Sequence, residues 1–177
     1  SDSTLRMLRE ASDQWESRNF DDDDDAVDLR HFVAVLRRTH SRHAVHICEL
    51  FGGRALTSQL AARCSLVSGH NFDLTTGVDL TNRTDVAMLW EYLNTTKPLC
   101  VVMAPPCTGL AGWAGLNRQN NPVGFWNSFR TSSALARLSL QVASHQVSHG
   151  RHYVIENPHG SQLFTKAEWE DFGLRRQ

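Results

Sequence analysis

No apolar run in this 177-residue chain approaches the roughly 18 residues that a membrane-crossing helix needs. The charged-then-apolar leader of a signal peptide is missing as well, so no membrane partner is expected. Cysteine is scarce: Cys48, Cys64, Cys100 and Cys107 are the whole set, and no two stand at CxxC spacing. That pattern argues against a disulfide framework or a zinc site and for free thiols in a reducing, intracellular compartment. There is no internal repeat, which excludes solenoids and arrays, and the one low-complexity tract is Asp21 to Asp25. A strong charge of either sign is also missing. The net charge is −1, and with those five acids set aside the remainder carries +4. Charge alone therefore neither demands nor excludes a nucleic-acid partner.

What is present is an ordinary globular composition, 41% hydrophobic, with enough chain for a core. Residues 1–44 read as an N-terminal helical segment, with Leu29, Phe32, Val33, Val35 and Leu36 amphipathic and the acid block as a solvated linker. From Val45 the pattern alternates. Strands are expected at Val45 to Leu50, Ser65 to Ser68, Leu99 to Met103 and His152 to Ile155. Helices are expected at Ala55 to Arg63, around Val86, Leu89, Trp90 and Leu93 with Asn82 or Thr84 as cap, and at Ser132 to Ser148. Gly109 to Trp126 reads as a long loop, and the tail near Trp169 and Phe172 as a short helix. The expected architecture over 45–177 is α/β: a mainly parallel, Rossmann-like sheet with helices on both faces.

Three stretches with chemistry fall at expected strand ends, hence on one edge of the sheet. The first is Glu49-Leu50-Phe51-Gly52-Gly53, where two glycines let backbone approach a ligand at a helix N-terminus. The acid there argues against a bare phosphate and for a cationic or hydroxyl-bearing ligand. The second is Pro105-Pro106-Cys107-Thr108, a stiff turn that sets a thiol just past a central strand. A thiolate is a strong nucleophile, although a buried structural cysteine is the commoner fate. The third is Glu156-Asn157-Pro158, whose carboxyl group is a candidate general acid or substrate partner. His145, His149 and His152 stand at helical spacing, but Gly150 interrupts them and no metal site is expected. Trp113, Phe125, Trp126 and Phe129 serve equally as base-stacking surfaces or as anchors of the loop.

Taken together, Glu-Leu-Phe-Gly-Gly, Pro-Pro-Cys-Thr and Glu-Asn-Pro resemble the cytosine-5 DNA methyltransferases, above all the short, divergent members of phages and retroelement polyproteins. The likeness runs from about Val45 to Phe164 and includes Phe72-Asp73-Leu74 and Gly77-Val78-Asp79-Leu80. It implies a fold of the S-adenosylmethionine (SAM) methyltransferase type, with the family's later strands missing after the Glu156 strand. It implies a SAM site of Glu49, Leu50, Phe51, Gly52, Gly53, Pro105 and one of Asp73 and Asp79, with Asp79 favoured. It further implies Cys107 as the nucleophile that attacks ring position 6 of cytosine, and Glu156 as the group that holds the base. Pro106, Thr108, Asn157 and Pro158 would line the substrate side. The partner implied is nucleic acid, DNA ahead of RNA, with the remainder of a larger polypeptide or a partner chain to complete the unit. Two other functions remain open: a non-catalytic or partner-dependent binding module, and methyl transfer to an exocyclic amine or to RNA.

Overall fold

A computed structural model describes residues 45–111 and 114–165. The helices expected in 1–44, the acid block, Trp113 and the tail helix lie outside the described residues. Four strands form one parallel sheet: β1 (Ile47–Leu50), β2 (Ser68–Phe72), β3 (Cys100–Met103) and β4 (His152–Ile155), in the order β2-β1-β3-β4. Four helices connect them: α1 (Leu56–Arg63), α2 (Arg83–Thr96), α3 (Ala114–Asn120) and α4 (Pro122–Ser148). The chain is thus α/β with a parallel sheet, consistent with the Rossmann-like expectation.

Side-chain alternation along the strands assigns the layers. Glu49 reaches the first turn of α1. Its neighbours Cys48 and Leu50 point the other way, into a core shared with Val101 and Met103 of β3, Leu89 and Leu93 of α2, and Leu135 and Val142 of α4. The buried positions of α4 include Ser132, Leu135, Ala136, Ser139, Ala143 and Gln146, a three- and four-residue spacing whose small members let the helix lie close to the strands. Fully buried Gln146 locks the far edge of the sheet. Its amide nitrogen donates to the carbonyls of Pro98 (3.1 Å) and His152 (3.0 Å), and its oxygen accepts from Arg151 Nε (2.9 Å). Arg151 also faces the Nε2 of His145 at 2.9 Å, so that imidazole nitrogen is already engaged.

Two expectations need correction. The second strand starts at Ser68, where Ser65 to Ser68 was expected. Cys64 and Ser65 instead close α1, with Ser65 in the left-handed region (φ 60°) and the Leu66 N–H on the Ala61 carbonyl. The strand Ser-Gly-His-Asn-Phe has little apolar patterning and is held by tertiary contacts. Tyr92 Oη accepts the His70 N–H at 3.0 Å, and a Cβ on Gly69 would lie 2.2 Å from that oxygen. The second correction is the long loop, most of which is helical. Asn121 Oδ1 accepts the Gly124 N–H (3.0 Å) and Pro122 opens α4, so the helix begins ten residues before the expected Ser132.

Candidate functional site at the carboxyl edge of the sheet

The strand ends are level. Leu50 pairs with Phe72 on one side and Met103 on the other, and Met103 pairs with Ile155. The ladder runs one step further through Phe51 N–H to Phe72 (3.0 Å), Ala104 N–H to Leu50 (3.1 Å) and Glu156 N–H to Met103 (2.9 Å). All three expected sites therefore leave the sheet along one row. The chain moves from β1 outward to β2, then crosses back past β1 to β3 and β4. The reversal lies between β1 and β3, and open α/β sheets bind ligands at that point. Phe51-Gly52-Gly53 and Pro105-Pro106-Cys107 flank it.

The β1 turn is tightly wound. Phe51 (φ 58°), Gly53 (φ 51°) and Ala55 (φ 54°) all occupy the left-handed region, where only glycine is unstrained. A Cβ on Gly52 would stand 2.7 Å from Asn71 Oδ1 and 3.0 Å from the Glu49 Cβ, so glycine is required there. Ala55, at the cap position of α1, has no side chain that can accept a hydrogen bond. Glu49 supplies the cap from β1. Its two oxygens accept the backbone N–H groups of Thr57 and Ser58, each at 3.2 Å, and Oε2 also accepts the Ser58 hydroxyl. Only 2% exposed, Glu49 fills the anion-binding end of its own helix.

Asp73 follows β2 directly and joins the same turn. It accepts the Gly53 N–H at 3.0 Å and the Thr75 N–H at 2.8 Å, while the Gly53 carbonyl accepts from Asn71 Nδ2 (3.0 Å) and Thr75 Oγ1 (2.9 Å). Burial pushes the Asp73 carboxyl upward, but the Thr75 and Gly53 donors outweigh it and hold the group below the usual carboxylate range. Asp79, in contrast, is exposed and turned onto Thr81 (2.9 Å to N, 2.7 Å to Oγ1), just ahead of α2. It is Asp73 that stands at the strand exit beside the glycines.

The thiols differ in reactivity. Burial pushes Cys48 far up, reinforced by Glu49 and Cys100, and pushes Cys100 up to about 12. Neither ionises at neutral pH, which removes both as nucleophiles. Cys64 closes α1 at the opposite end of the sheet from the strand exits. Half-buried Cys107 is the thiol on the carboxyl edge. Its carbonyl accepts the N–H groups of Leu110 and Ala111, both at 2.8 Å, which closes a turn. That turn lies backbone to backbone on α4. Gly109 N–H donates to Ser132 Oγ at 3.2 Å, and a Cβ on Gly109 would meet Phe129 Cα at 2.5 Å. Gly109→Ala is therefore expected to cost about 3 kcal/mol of stability, read as a lower urea midpoint, and to displace the Cys107 loop.

Asn157 ties the third site to the second, because its Nδ2 donates to the Pro105 carbonyl at 2.8 Å. Glu156 and Pro158 are exposed beside it, and Pro106 and Thr108 are exposed on the Cys107 loop. Two buried acceptors on this edge, Asn71 Oδ1 and Asn157 Oδ1, have no hydrogen-bond donor among the described residues. Buried polar atoms are nearly always paired, so both suit a ligand that brings donors. Asn71 carried no signal in the sequence; a polar residue in an unpatterned strand is indistinguishable from a solvent-facing one. Among the described residues no group of three His, Cys, Asp or Glu side chains could hold a metal ion, and no helix is long and apolar enough to cross a membrane. No protein-family model, no curated protein and no solved structure matches this chain.

Proposed function

We propose that this chain is a SAM-dependent methyltransferase acting on carbon 5 of cytosine in nucleic acid, with Cys107 as nucleophile, on a fold of the SAM-methyltransferase type. The observation that carries the reading is the occupied N-terminus of α1. With the Glu49 carboxylate on the Thr57 and Ser58 N–H groups, two donors that a pyrophosphate would use at this helix end are already engaged, and a second negative charge there would meet the first. A cofactor bound at this switch point therefore avoids phosphate there, which fits SAM and disfavours a dinucleotide. The residues fit the group. Asp73 would take the ribose hydroxyls, and the unpaired Asn71 Oδ1 beside Gly52 would accept from the ammonium end. Bound SAM supplies an electrophilic methyl group.

The remaining chemistry falls to the chain. Cytosine is a poor carbon nucleophile until something adds across its ring. Cys107 Sγ would add at position 6, raising electron density at carbon 5. Once carbon 5 carries the methyl group, loss of its proton to a base would expel the thiolate and restore the 5,6 double bond. Glu156 would hold the ring nitrogen and exocyclic amine, and Asn157 Oδ1 is a second acceptor on that side. Pro105, tied to Asn157, fixes the spacing between the two loops.

Calorimetric titration of SAM into the full chain tests the cofactor assignment. Micromolar binding is expected, weakened about ten-fold in Asp73→Asn, which keeps an acceptor for the turn but loses the charge on the ribose. Absence of binding at millimolar SAM would overturn the reading. The Asp73 carboxyl is held below its ordinary range, so it stays ionised at neutral pH. What it adds to turn stability is complete above the unfolded aspartate value near pH 4 and is lost as pH falls through the lower folded value.

A second reading is a partner-dependent binding module on the same sheet. The outer face of α1 favours it: Leu56 is 64% and Leu60 49% exposed, one turn apart, with Val67 47% exposed.

A further inference from the structure

From Tyr92 to Ile155 the chain has 64 residues without a single Asp or Glu, while Lys97, Arg118, Arg130, Arg137 and Arg151 all fall within it. The tract contains the Cys107 loop and the hairpin of α3 and α4. On that hairpin Phe125, Trp126 and Phe129 form a three-ring cluster with centroids 5.1, 5.7 and 5.8 Å apart. Phe125 and Phe129 are half-buried, whereas Trp126 is 45% exposed and Val123 beside it 72%. The Arg118 guanidinium lies 5.5 Å from the Trp126 ring centre, and Arg130 follows one turn along α4. Neither arginine has an acidic partner among the described residues. Between α3 and α4 runs a cleft of about 200 Å³ lined by Thr108, Asn117, Asn121, Gly124, Phe125 and Ser128. Thr108 is the residue after Cys107. The surface is thus aromatic, cationic and amide-lined, and it adjoins the nucleophile.

We infer that the α3–α4 hairpin is a platform for single-stranded nucleic acid, with a base stacked on Trp126 and phosphates on Arg118 and Arg130. An exposed indole offers stacking only to a base that is not already stacked in a duplex, and every base has a face for it. The two guanidinium groups supply the sequence-independent attraction to phosphate. The cleft offers hydroxyl and amide groups to one base edge next to Cys107. A strand that arrives unpaired also spares the cost of extruding a cytosine from a duplex. The inference names the substrate form for the proposed methyl transfer and rests on that reading only for the choice of cytosine; the binding itself needs no SAM.

Fluorescence anisotropy of the full chain with a labelled cytosine-containing oligonucleotide tests it, with the same sequence as single-stranded DNA, single-stranded RNA and duplex DNA. The single strands are expected to bind at least about ten-fold tighter than the duplex, and the tighter of the two identifies the sugar. Trp126→Ala should weaken single-strand binding about ten-fold, while Trp126→Phe stays within about three-fold of the parent. The double variant R118Q/R130Q should reduce the slope of log Kd against log salt by about 1.4. Arg63→Gln on α1 should change nothing. Equal or tighter duplex binding, or a Trp126→Ala chain that binds as the parent does, would overturn the platform. Strand binding that depends on Trp126 in a chain that ignores SAM would uphold the platform and refute the methyl transfer.

Discussion

Glu49→Ala is expected to lower the stability of the chain by about 3 kcal/mol, measured as a shift in the urea midpoint at unchanged slope. The alanine variant strands the N–H groups of Thr57 and Ser58, which donate to the Glu49 carboxylate, in a place where Glu49 itself is 2% exposed. It also removes a negative charge from the positive end of the α1 dipole. Glu49→Gln keeps the volume and one acceptor, so its loss should be smaller, about 1–2 kcal/mol. A Glu49→Ala chain as stable as the parent would show that the carboxylate is not the cap. The result also bears on function, because lost SAM binding in Glu49→Ala mixes a damaged turn with a missing ligand contact. Asp73→Asn keeps one of the two turn acceptors, so its SAM affinity is read beside its own urea midpoint.

The second large effect concerns Cys107. Cys107→Ala is expected to reduce methyl transfer to cytosine by at least about 10³-fold, because without the thiolate nothing adds at position 6. SAM affinity and single-strand affinity should both stay within about two-fold of the parent. Cys64→Ala, at the other end of the sheet, should turn over normally. Buried Cys48 and Cys100 serve as packing groups, their thiols held neutral by burial. Turnover that survives in Cys107→Ala would redirect the account to an acceptor such as an exocyclic amine, where no ring addition is needed.

How much of this was legible in the sequence varies from one residue to the next. β1, β3 and β4 announce themselves as short β-branched runs ended by glycine or proline, and that was sufficient to bring Gly52, Cys107 and Glu156 to one edge. β2 does not, since its identity comes from Tyr92 and Gly69 meeting across a tertiary contact. The first ten residues of α4 were hidden because Pro122, Gly124 and the aromatic cluster break the apolar period. Asn121 and Pro122 were the available start signal. The choice between Asp73 and Asp79 turned on where β2 ends. With the strand placed four residues too early, Asp73 could not be seen at its exit. Glu49 as a cap was not readable at all, because side chains that cap a helix normally sit at its first residue and this one reaches in from a strand eight residues away.

The most direct test of the central claim is covalent trapping. The chain is incubated with SAM and a single-stranded oligonucleotide carrying 5-fluorocytosine, and the product is examined by denaturing intact mass spectrometry. Fluorine at carbon 5 blocks the final proton loss, so the thiol that added to the ring stays attached. The account predicts a SAM-dependent adduct that maps to the Cys107 peptide and is missing in Cys107→Ala. A chain that binds SAM and the strand yet yields no adduct, or one whose adduct maps to another cysteine, would contradict it.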